Sequence, residues 1–328
     1  MMLQSRASAP AKIILFGEHF VVYDKPAIVI AINRRAYVTA KPRADGEILI
    51  KSENMEVSGI FSSDGKYQPI EGGLAAERKL KPIYAIAISL LSMSGEKVGF
   101  EIHVDSRIPV AAGLGSSAAV AVASAAALGR LLEVDLSKEE IFRLAFESEK
   151  IVHGNPSGVD PAISTYGGIL AYRKSMGIER LNVDADIPLV VGDTGIERVT
   201  GEMVSRVSEM RERYPSIIDR IMDAGGNIAA LGVNALKSGD LETLGELMNI
   251  NHALLYAIGV SSDEIERLVH AARRAGALGA KLTGAGGGGC IIALSRRLDL
   301  DRIAEAIRHA GGEAFITEMS LEGVRIEE

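Results

Sequence analysis

The sequence PVAAGLGSSA occupies residues 109–118, and an alanine-rich segment of helical character follows it to about Leu132. Glycines allow a backbone to approach an anion closely, and the start of a helix offers unpaired N–H groups and the positive end of its dipole. The hydroxyls of Ser116 and Ser117 can reach a phosphate or Mg²⁺. Because no lysine directly precedes the serines, the segment is not a Walker A loop. It predicts a phosphate-binding loop before a buried helix, and the alternative is a serine-capped glycine turn that binds no ligand.

The same region contains 22 residues without a charge, from Ile108 to Gly129, which is long enough to cross a bilayer. It includes Pro109, three glycines and three serines, and most of the remainder is alanine. Alanine is only marginally favourable in lipid, and no Trp or Tyr flanks the segment closely. We therefore expect a buried helix of small residues rather than a membrane span.

Composition narrows the class of protein. The 328 residues are 47% hydrophobic and 24% charged, as in globular chains of one large or two domains. The net charge of −7 and the lack of a dense basic run argue against a nucleic-acid partner. Cys290, the single cysteine, has no partner for an internal disulfide, and residues 1–19 lack the pattern of a secretory signal. A reducing cytoplasm is the expected compartment, and a homodimer is one assembly left open.

The two halves of the chain differ in their predicted secondary structure. The first half predicts strands at residues 11–16, 27–32, 36–40, 47–51, 99–104 and 169–172, and helices at about 74–93, 116–132 and from Ser137, where Ser137 and Glu140 have capping-box spacing. The second half predicts strands at 187–192, 290–294 and 313–317, and amphipathic helices at about 200–213, 216–236, 241–257, 262–275 and 299–310. We place a domain boundary between residues 184 and 185.

A second segment that could contribute functional residues is APAKIILFGEH, residues 9–19. A lysine, Lys12, lies on a largely apolar strand, and a glycine turn then presents Glu18 and His19 together. Charges seldom enter cores without partners, so the pattern favours a functional site. The alternative is an edge strand on which Lys12 reaches solvent while Glu18 and His19 lie in a solvated loop.

A third segment joins two carboxylates, Glu149 and Asp160, through the loop HGNPSGV of residues 153–159. Asp160 followed by Pro161 is also typical of a helix N-cap and first helical residue. One interpretation makes Asp160 a cap and Glu149 a surface acid. The other brings both carboxylates to one site, one for a metal and one for a hydroxyl proton.

The fourth segment, residues 281–290, reads KLTGAGGGGC and leads into a strand. Such a glycine run can approach the phosphates of a ligand or serve only as a flexible crossing. Residues 113–118 and 284–289 also fit the dinucleotide fingerprint G-x-G-x-x-(G/A), the first with Ala118 at its last position. The first lacks the required second strand and the second enters a strand instead of a helix, so an NAD-dependent oxidoreductase is disfavoured.

Taken together and in order, segments 10–19, 109–118 and 281–290 resemble the motifs of the galactokinase, homoserine kinase, mevalonate kinase and phosphomevalonate kinase (GHMP) superfamily over nearly the whole chain. Residues 12–23 and 153–160 resemble the mevalonate kinase family in particular, and the length is similar to that of archaeal or bacterial members. One departure is Pro161, where that family commonly has Asn. A proline there should only strengthen the start of a helix.

The resemblance implies an α+β fold of two domains with the site between them. Residues 1–184 would form a domain like ribosomal protein S5 domain 2, and residues 185–328 a ferredoxin-like domain with added helices. It implies ATP and Mg²⁺ as cofactors, and phosphorylation of the 5-hydroxyl of (R)-mevalonate.

The resemblance also implies roles for particular residues. Asp160 would take or orient the hydroxyl proton, with Lys12 lowering the pKa of that hydroxyl. Ser117 and Glu149 would bind Mg²⁺. The implied nucleotide-binding residues are Pro109, Gly113, Leu114, Gly115, Ser116, Ser117, Gly284, Gly286 and Gly287. The implied mevalonate-binding residues are Lys12, Glu18, His19, Asp160 and Thr200.

Three alternatives remain beside that expectation. A sister kinase would phosphorylate phosphomevalonate, homoserine or a sugar. A non-catalytic nucleotide-binding regulator would be expected to lack the equivalents of Lys12 or Asp160, and both are present here. An interaction protein would leave these loops without a ligand.

Overall fold

Two β-sheets organise the chain. The structure is a computed structural model that describes residues 3–109, 112–153, 156–183, 186–197 and 200–327, and at residues 152, 153 and 200 it describes the backbone alone. The strands of the first sheet are β1 (Ser5–Phe16), β2 (Ala27–Arg43), β3 (Ile48–Ser52), β4 (Val57–Phe61), β5 (Tyr67–Glu71), β6 (Gly99–Ser106), β7 (Ile169–Arg173), β8 (Gly177–Leu181) and β13 (Arg325–Glu327). Their order is β13-β1-β2-β6-β3-β4-β5, and β7 joins β2 to β8. All neighbours are antiparallel except β3 and β6.

The second sheet belongs to the C-terminal half. Its strands are β9 (Leu189–Asp193), β10 (Gly279–Leu282), β11 (Cys290–Leu294) and β12 (Glu313–Thr317). The order β10-β11-β9-β12 is antiparallel throughout. That order, with helices in the connections after β9 and β11, is the ferredoxin-like arrangement that the sequence resemblance implied.

Helices cover both sheets. They are α1 (Ala76–Ser94), α2 (Ser116–Leu131), α3 (Lys138–His153), α4 (Val159–Tyr166), α5 (Thr200–Arg213), α6 (Pro215–Ser238), α7 (Leu241–Ala257), α8 (Asp263–Arg274) and α9 (Leu300–His309). Helix α2 contacts β1, β2, α1, α3 and α4, so nearly all of its small side chains are buried. This confirms the expectation of a buried helix, and no helix of the described residues is long and apolar enough to cross a membrane.

Secondary structure differs from the sequence expectation mainly in the strands. Two expected strands, 27–32 and 36–40, form the single strand β2. Strands β4, β5, β8, β10 and β13 were not expected. Pro82 is a buried residue within α1, which continues through it from Ala76 to Ser94.

The chain ends in the first sheet rather than in the second. Strand β13 pairs with β1, and Met319 forms a bridge to Ile32. Arg35, only 5% exposed, donates to the carbonyl oxygens of Ser8 and Gly323 at 3.1 and 2.6 Å and so fixes this return. The expected boundary at residues 184 and 185 lies outside the described residues, and the division into domains stays a prediction.

Candidate active site

A cavity of about 530 Å³ lies where the two halves of the chain meet. Its walls come from the end of β1, the loop before α2, the end of α3, the start of α4 and the segment after β10. The lining residues are Lys12, Ile14, Glu18, His19, Val21, Val22, Pro109, Gly113, Leu114, Gly115, Ser116, Ser117, Ala118, Glu149, Asp160, Val204, Gly284 and Ala285. Segments that are far apart in sequence therefore share one cavity.

Lys12 and Asp160 form the centre of this cavity. Lys12 Nζ lies 3.4 Å from Asp160 Oδ2, and the Lys12 side chain is only 8% exposed. The backbone N–H of Lys12 donates to the carbonyl of Leu114 at 2.8 Å, which holds β1 against the glycine loop. The lysine is therefore an interior residue with a charged partner, and the edge-strand alternative is wrong.

Gly115 is the point of closest approach between the loop and these two side chains. Its φ of +77° suits glycine, and a Cβ built there would lie 2.9 Å from Lys12 Cγ and 3.6 Å from Asp160 Oδ2. A side chain at this position would push Lys12 out of place. Helix α2 begins at the next residue, so the N–H groups of its first turn face the cavity occupied by Lys12 and Asp160.

Asp160 occupies the first turn of α4. The N-cap position is Gly158, so the interpretation of Asp160 as a helix cap is wrong. Helix α4 is held on β1 by the hydroxyl of Ser164, which donates to the carbonyl of Pro10 at 2.9 Å. The carboxylate of Asp160 is 34% exposed and faces the cavity beside Lys12.

Glu149, near the end of α3, is not a surface acid. Its Oε2 is buried and has no hydrogen-bond partner among the described residues. Burial, followed by the negative charge of Asp160, raises the pKa of Glu149 to about 7, while Lys12 opposes that shift. A buried carboxylate oxygen without a partner, at the wall of a cavity, is suited to bind a cation.

Glu18 and His19 are also interior residues, 2% and 6% exposed, so the alternative of a solvated loop for them is wrong. Glu18 forms a buried ion pair with Lys281 of β10. His19 Nε2 forms a hydrogen bond of 2.8 Å with the carbonyl oxygen of Ala285. The glycine turn after β1 thus contacts the segment that follows β10.

Two of the expected nucleotide-binding residues, Gly286 and Gly287, are not among the described residues that line the cavity. Gly286 and Gly287 pack against the turn at Val260, where the N–H of Gly287 donates to the Val260 carbonyl at 2.8 Å. Thr200 is the first residue of α5, and its side chain lies outside the description. The roles expected for these three residues stay predictions.

A second cavity of about 320 Å³ opens on the other side of the same helix start. It is lined by Ser52, Asn54, Met55, Arg78, Lys79, Pro82, Ile83, Val104, Ser106, Ser116, Ser117, Val120 and Ala121. Ser116 and Ser117 line both cavities. Sequence reasoning missed this site because three of its four segments, at residues 52–55, 78–83 and 104–106, carry no motif, although the polar run at 52–54 was a weak signal.

Comparisons with protein families and with individual proteins point to the same group of kinases. Residues 81–168 match the family described as GHMP kinases N terminal domain, and residues 233–313 match GHMP kinases C terminal. A mevalonate kinase of Pyrococcus horikoshii is 47% identical over 98% of this chain and 97% of its own. One of Archaeoglobus fulgidus is 42% identical over 98% of this chain and 99% of its own.

Solved structures agree with these relatives. The L. major mevalonate kinase in complex with R-mevalonate superposes with a TM-score of 0.83 at 30% identity, covering 98% of this chain and 96% of that one. The Methanococcus jannaschii mevalonate kinase gives a TM-score of 0.81 at 27% identity, covering 96% and 98%. The expected two-part α+β fold is confirmed.

Proposed function

The chain belongs to the mevalonate kinase family of the GHMP kinases, and from this we propose that it transfers the γ-phosphoryl group of ATP to the 5-hydroxyl of (R)-mevalonate. The products are 5-phosphomevalonate and ADP. The observation that carries the proposal is the pair Lys12 and Asp160, 3.4 Å apart, at a cavity that also receives the start of α2. Phosphoryl transfer requires mainly positioning and neutralisation of charge, which this arrangement provides.

An ADP-release assay with Mg²⁺ and ATP tests the proposal. Mevalonate is offered beside phosphomevalonate, homoserine and galactose at equal concentrations. We expect turnover with mevalonate and background rates with the others. Turnover with another acceptor alone would assign the chain to a sister activity, and no turnover with any of them would contradict a kinase.

The acceptor end of the cavity contains the groups for the chemical step. We infer that Asp160 accepts the proton of the 5-hydroxyl of mevalonate while that hydroxyl's oxygen attacks the γ-phosphorus and ADP leaves. The adjacent Lys12 ammonium lowers the pKa of that hydroxyl and stabilises the negative charge that develops. Glu18, His19 and Thr200 are proposed to hold the rest of mevalonate.

The proposed binding site for ATP, the phosphoryl donor, extends over the two cavities, which share Ser116 and Ser117. Membership of a kinase family implies ATP as the phosphoryl donor, and the loop with its helix start suits the phosphates. We infer that the adenosine enters the 320 Å³ cavity, because its walls are largely apolar and it adjoins the phosphate loop. The γ-phosphoryl group would then face Lys12 and Asp160.

Met55→Trp tests the adenosine site. The larger side chain fills part of the second cavity, so we expect the KM for ATP to rise about tenfold or more, at the low end of the effects of pocket shape. The KM for mevalonate should stay within about twofold, because Met55 does not line the first cavity. Steady-state kinetics with each substrate varied in turn measures both values.

Met93→Trp is the matched control, because Met93 is half-exposed near the end of α1 and lines neither cavity. It should leave both KM values unchanged. An unaltered KM for ATP in Met55→Trp would place the adenosine elsewhere.

The residues present fit a magnesium ion. Among the described residues no group of three or more His, Cys, Asp or Glu side chains could hold a metal alone. Mg²⁺ is usually bound by one or two carboxylates together with substrate phosphates, and Glu149 Oε2 is a buried oxygen without a partner among the residues described. We propose that Glu149 and Ser117 hold the ion with the ATP phosphates. When bound, the ion would neutralise phosphate charge.

Glu149→Gln tests that assignment with two measurements. The Mg²⁺ concentration for half-maximal turnover should rise, because a carboxylate ligand is lost. In EDTA, the melting temperature of the unaltered protein should fall as the pH rises from about 4.5 to about 7. The unfolded chain releases the Glu149 proton near 4.5, whereas the folded protein keeps it to about 7, so stability is lost through this window. The variant should lose that component.

Glu147→Gln is the control, because Glu147 is an exposed residue of the same helix. It should change neither measurement. An unchanged Mg²⁺ titration in Glu149→Gln would show that Glu149 is not a ligand. The cytoplasmic location, the homodimer and the absence of a nucleic-acid partner stay predictions of the sequence.

A further inference from the structure

Strand β10 and the segment after it contact the end of β1 and the turn that follows it at three places. Lys281 Nζ donates to Glu18 Oε1. Thr283 Oγ1 donates to the Ile14 carbonyl at 2.9 Å and accepts from the Ile14 N–H at 3.0 Å. With the bond from His19 to the carbonyl oxygen of Ala285, these contacts fix the turn that carries Glu18 against the second sheet.

Of the two partners in this ion pair, Lys281 is held more firmly by the surrounding structure than Glu18. It lies inside β10, which pairs with β11 along its whole length. The next residue, Leu282, donates its N–H to Nδ1 of the buried His252 at 3.3 Å. Glu18 instead lies in the turn between β1 and a short 3₁₀ helix, Phe20–Tyr23. The strand therefore positions the glutamate, rather than the reverse.

The two carboxylate oxygens of Glu18 differ. Oε1 accepts from Lys281, whereas Oε2 is buried and has no partner among the residues that the structure describes. Glu18 lines the 530 Å³ cavity and Lys281 does not. A buried oxygen without a partner is costly, and a hydroxyl group entering the cavity would satisfy it.

Charge balance gives Lys281 a second effect on the cavity. The side chains of Glu18 and Lys281 are both fully buried. Burial raises the pKa of Glu18 and lowers the pKa of Lys281, and the opposite charge of each partner opposes both shifts. The pair adds no net charge to a cavity whose described lining already includes Glu149, Asp160 and one lysine, Lys12. An unbalanced third carboxylate would repel an anionic acceptor.

We propose that Lys281 is a positioning residue for the acceptor substrate: it holds Glu18 Oε1, so that Glu18 Oε2 accepts a hydrogen bond from an acceptor hydroxyl. Lys281 itself touches neither substrate and acts only through Glu18. The inference rests on the proposed function, because mevalonate is the acceptor that the cavity would receive.

A double-mutant cycle on Glu18 and Lys281 tests the proposal by steady-state kinetics. The unaltered protein is assayed first, and failure to phosphorylate mevalonate would contradict the proposed function rather than this inference. Lys281→Met should raise the KM for mevalonate about tenfold or more, as for loss of a hydrogen bond to a charged group, and leave the KM for ATP within about twofold.

The coupling between the two substitutions decides the result. If Lys281 acts only through Glu18, the variant with both Glu18→Gln and Lys281→Met should have a mevalonate KM no higher than that of the worse single variant. Fold-changes that multiply, or a Lys281→Met variant with an unchanged mevalonate KM, would overturn the proposal. In Lys281→Met alone, the buried carboxylate of Glu18 loses its charged partner, which can impair folding. The double variant removes that charge as well, so it can still be assayed if Lys281→Met folds poorly.

Arg35→Met is the control for a merely structural loss. Arg35 is another buried cation with several hydrogen bonds, but it lines neither cavity. It should lower the melting temperature and leave the KM for mevalonate unchanged. An equal rise of that KM in Arg35→Met would show that the readout reports general loosening, which would also overturn the proposal.

Discussion

Asp160→Asn should fold normally, bind ATP and mevalonate, and lose at least about a hundredfold in turnover, the low end of the contribution of a general base. The amide is nearly isosteric with the carboxylate and keeps the first turn of α4, but it cannot take a proton. The proposed base is close to Lys12, the one lysine among the described residues that line the cavity, at 3.4 Å from Nζ to Oδ2. The loss should therefore appear in kcat rather than in either KM.

Single-turnover kinetics and calorimetric titration separate these effects. Near-normal turnover would mean that Asp160 does no proton chemistry. Weak binding of both substrates with a lowered melting temperature would instead mean that it acts on structure. Asp223→Asn is the matched control, since Asp223 pairs with Lys25 at an exposed site and lines neither cavity. It should leave kcat unchanged.

Lys12→Met should lower kcat by about 10² to 10³, the cost of removing one pre-positioned electrostatic group at a reacting centre. Methionine keeps much of the length and apolar volume of the buried stem, so β1 and the contact with Gly115 should persist. The lost ammonium neutralises charge on the reacting hydroxyl and the transferred phosphoryl group. Steady-state kinetics should therefore show a loss in kcat that exceeds any change in melting temperature.

The double variant of Lys12 and Asp160 sharpens this prediction. If the two residues act as a unit, removing both should cost little more than removing the worse single residue. Lys25→Met, on the exposed partner of Asp223, is the control and should retain full turnover. A Lys12→Met variant that retains kcat would exclude the ammonium from the chemical step.

The parts of the site that were predictable from sequence are local motifs. Pro109 and residues 113–118 of the glycine loop line the expected cavity, together with the carboxylates Glu149 and Asp160 and the turn at Glu18 and His19. The capping box also forms: Ser137 Oγ donates to Glu140 Oε2 at 2.7 Å, and the Ser137 N–H donates to the same oxygen at 2.9 Å. Each signal lies within a few residues, so its physical cause is visible in the sequence.

Contacts between distant segments were not predictable. The partner of Glu18 is Lys281, and the second cavity joins the motif serines Ser116 and Ser117 to three segments that no motif marks. The sequence predicts two strands within β2, and Asn33 bounds the first of them. In the structure Arg34 stacks on Phe315, with 4.4 Å to the ring centroid, and Arg35 is buried among carbonyl oxygens of the chain end. Only tertiary contacts make these cations compatible with a strand.

The pairing of β13 with β1 has a mechanical consequence. Arg6 lies opposite Glu327 and Ser8 opposite Arg325, so the described chain begins and ends at the same edge of this antiparallel pair. A tension applied between the two ends would load the ladder bonds one after another, as in opening a zipper, rather than all at once. The β1–β13 pairing would therefore be the first part of the sheet to separate under tension. The hydrogen bonds from Arg35 to the carbonyl oxygens of Ser8 and Gly323 would resist that separation.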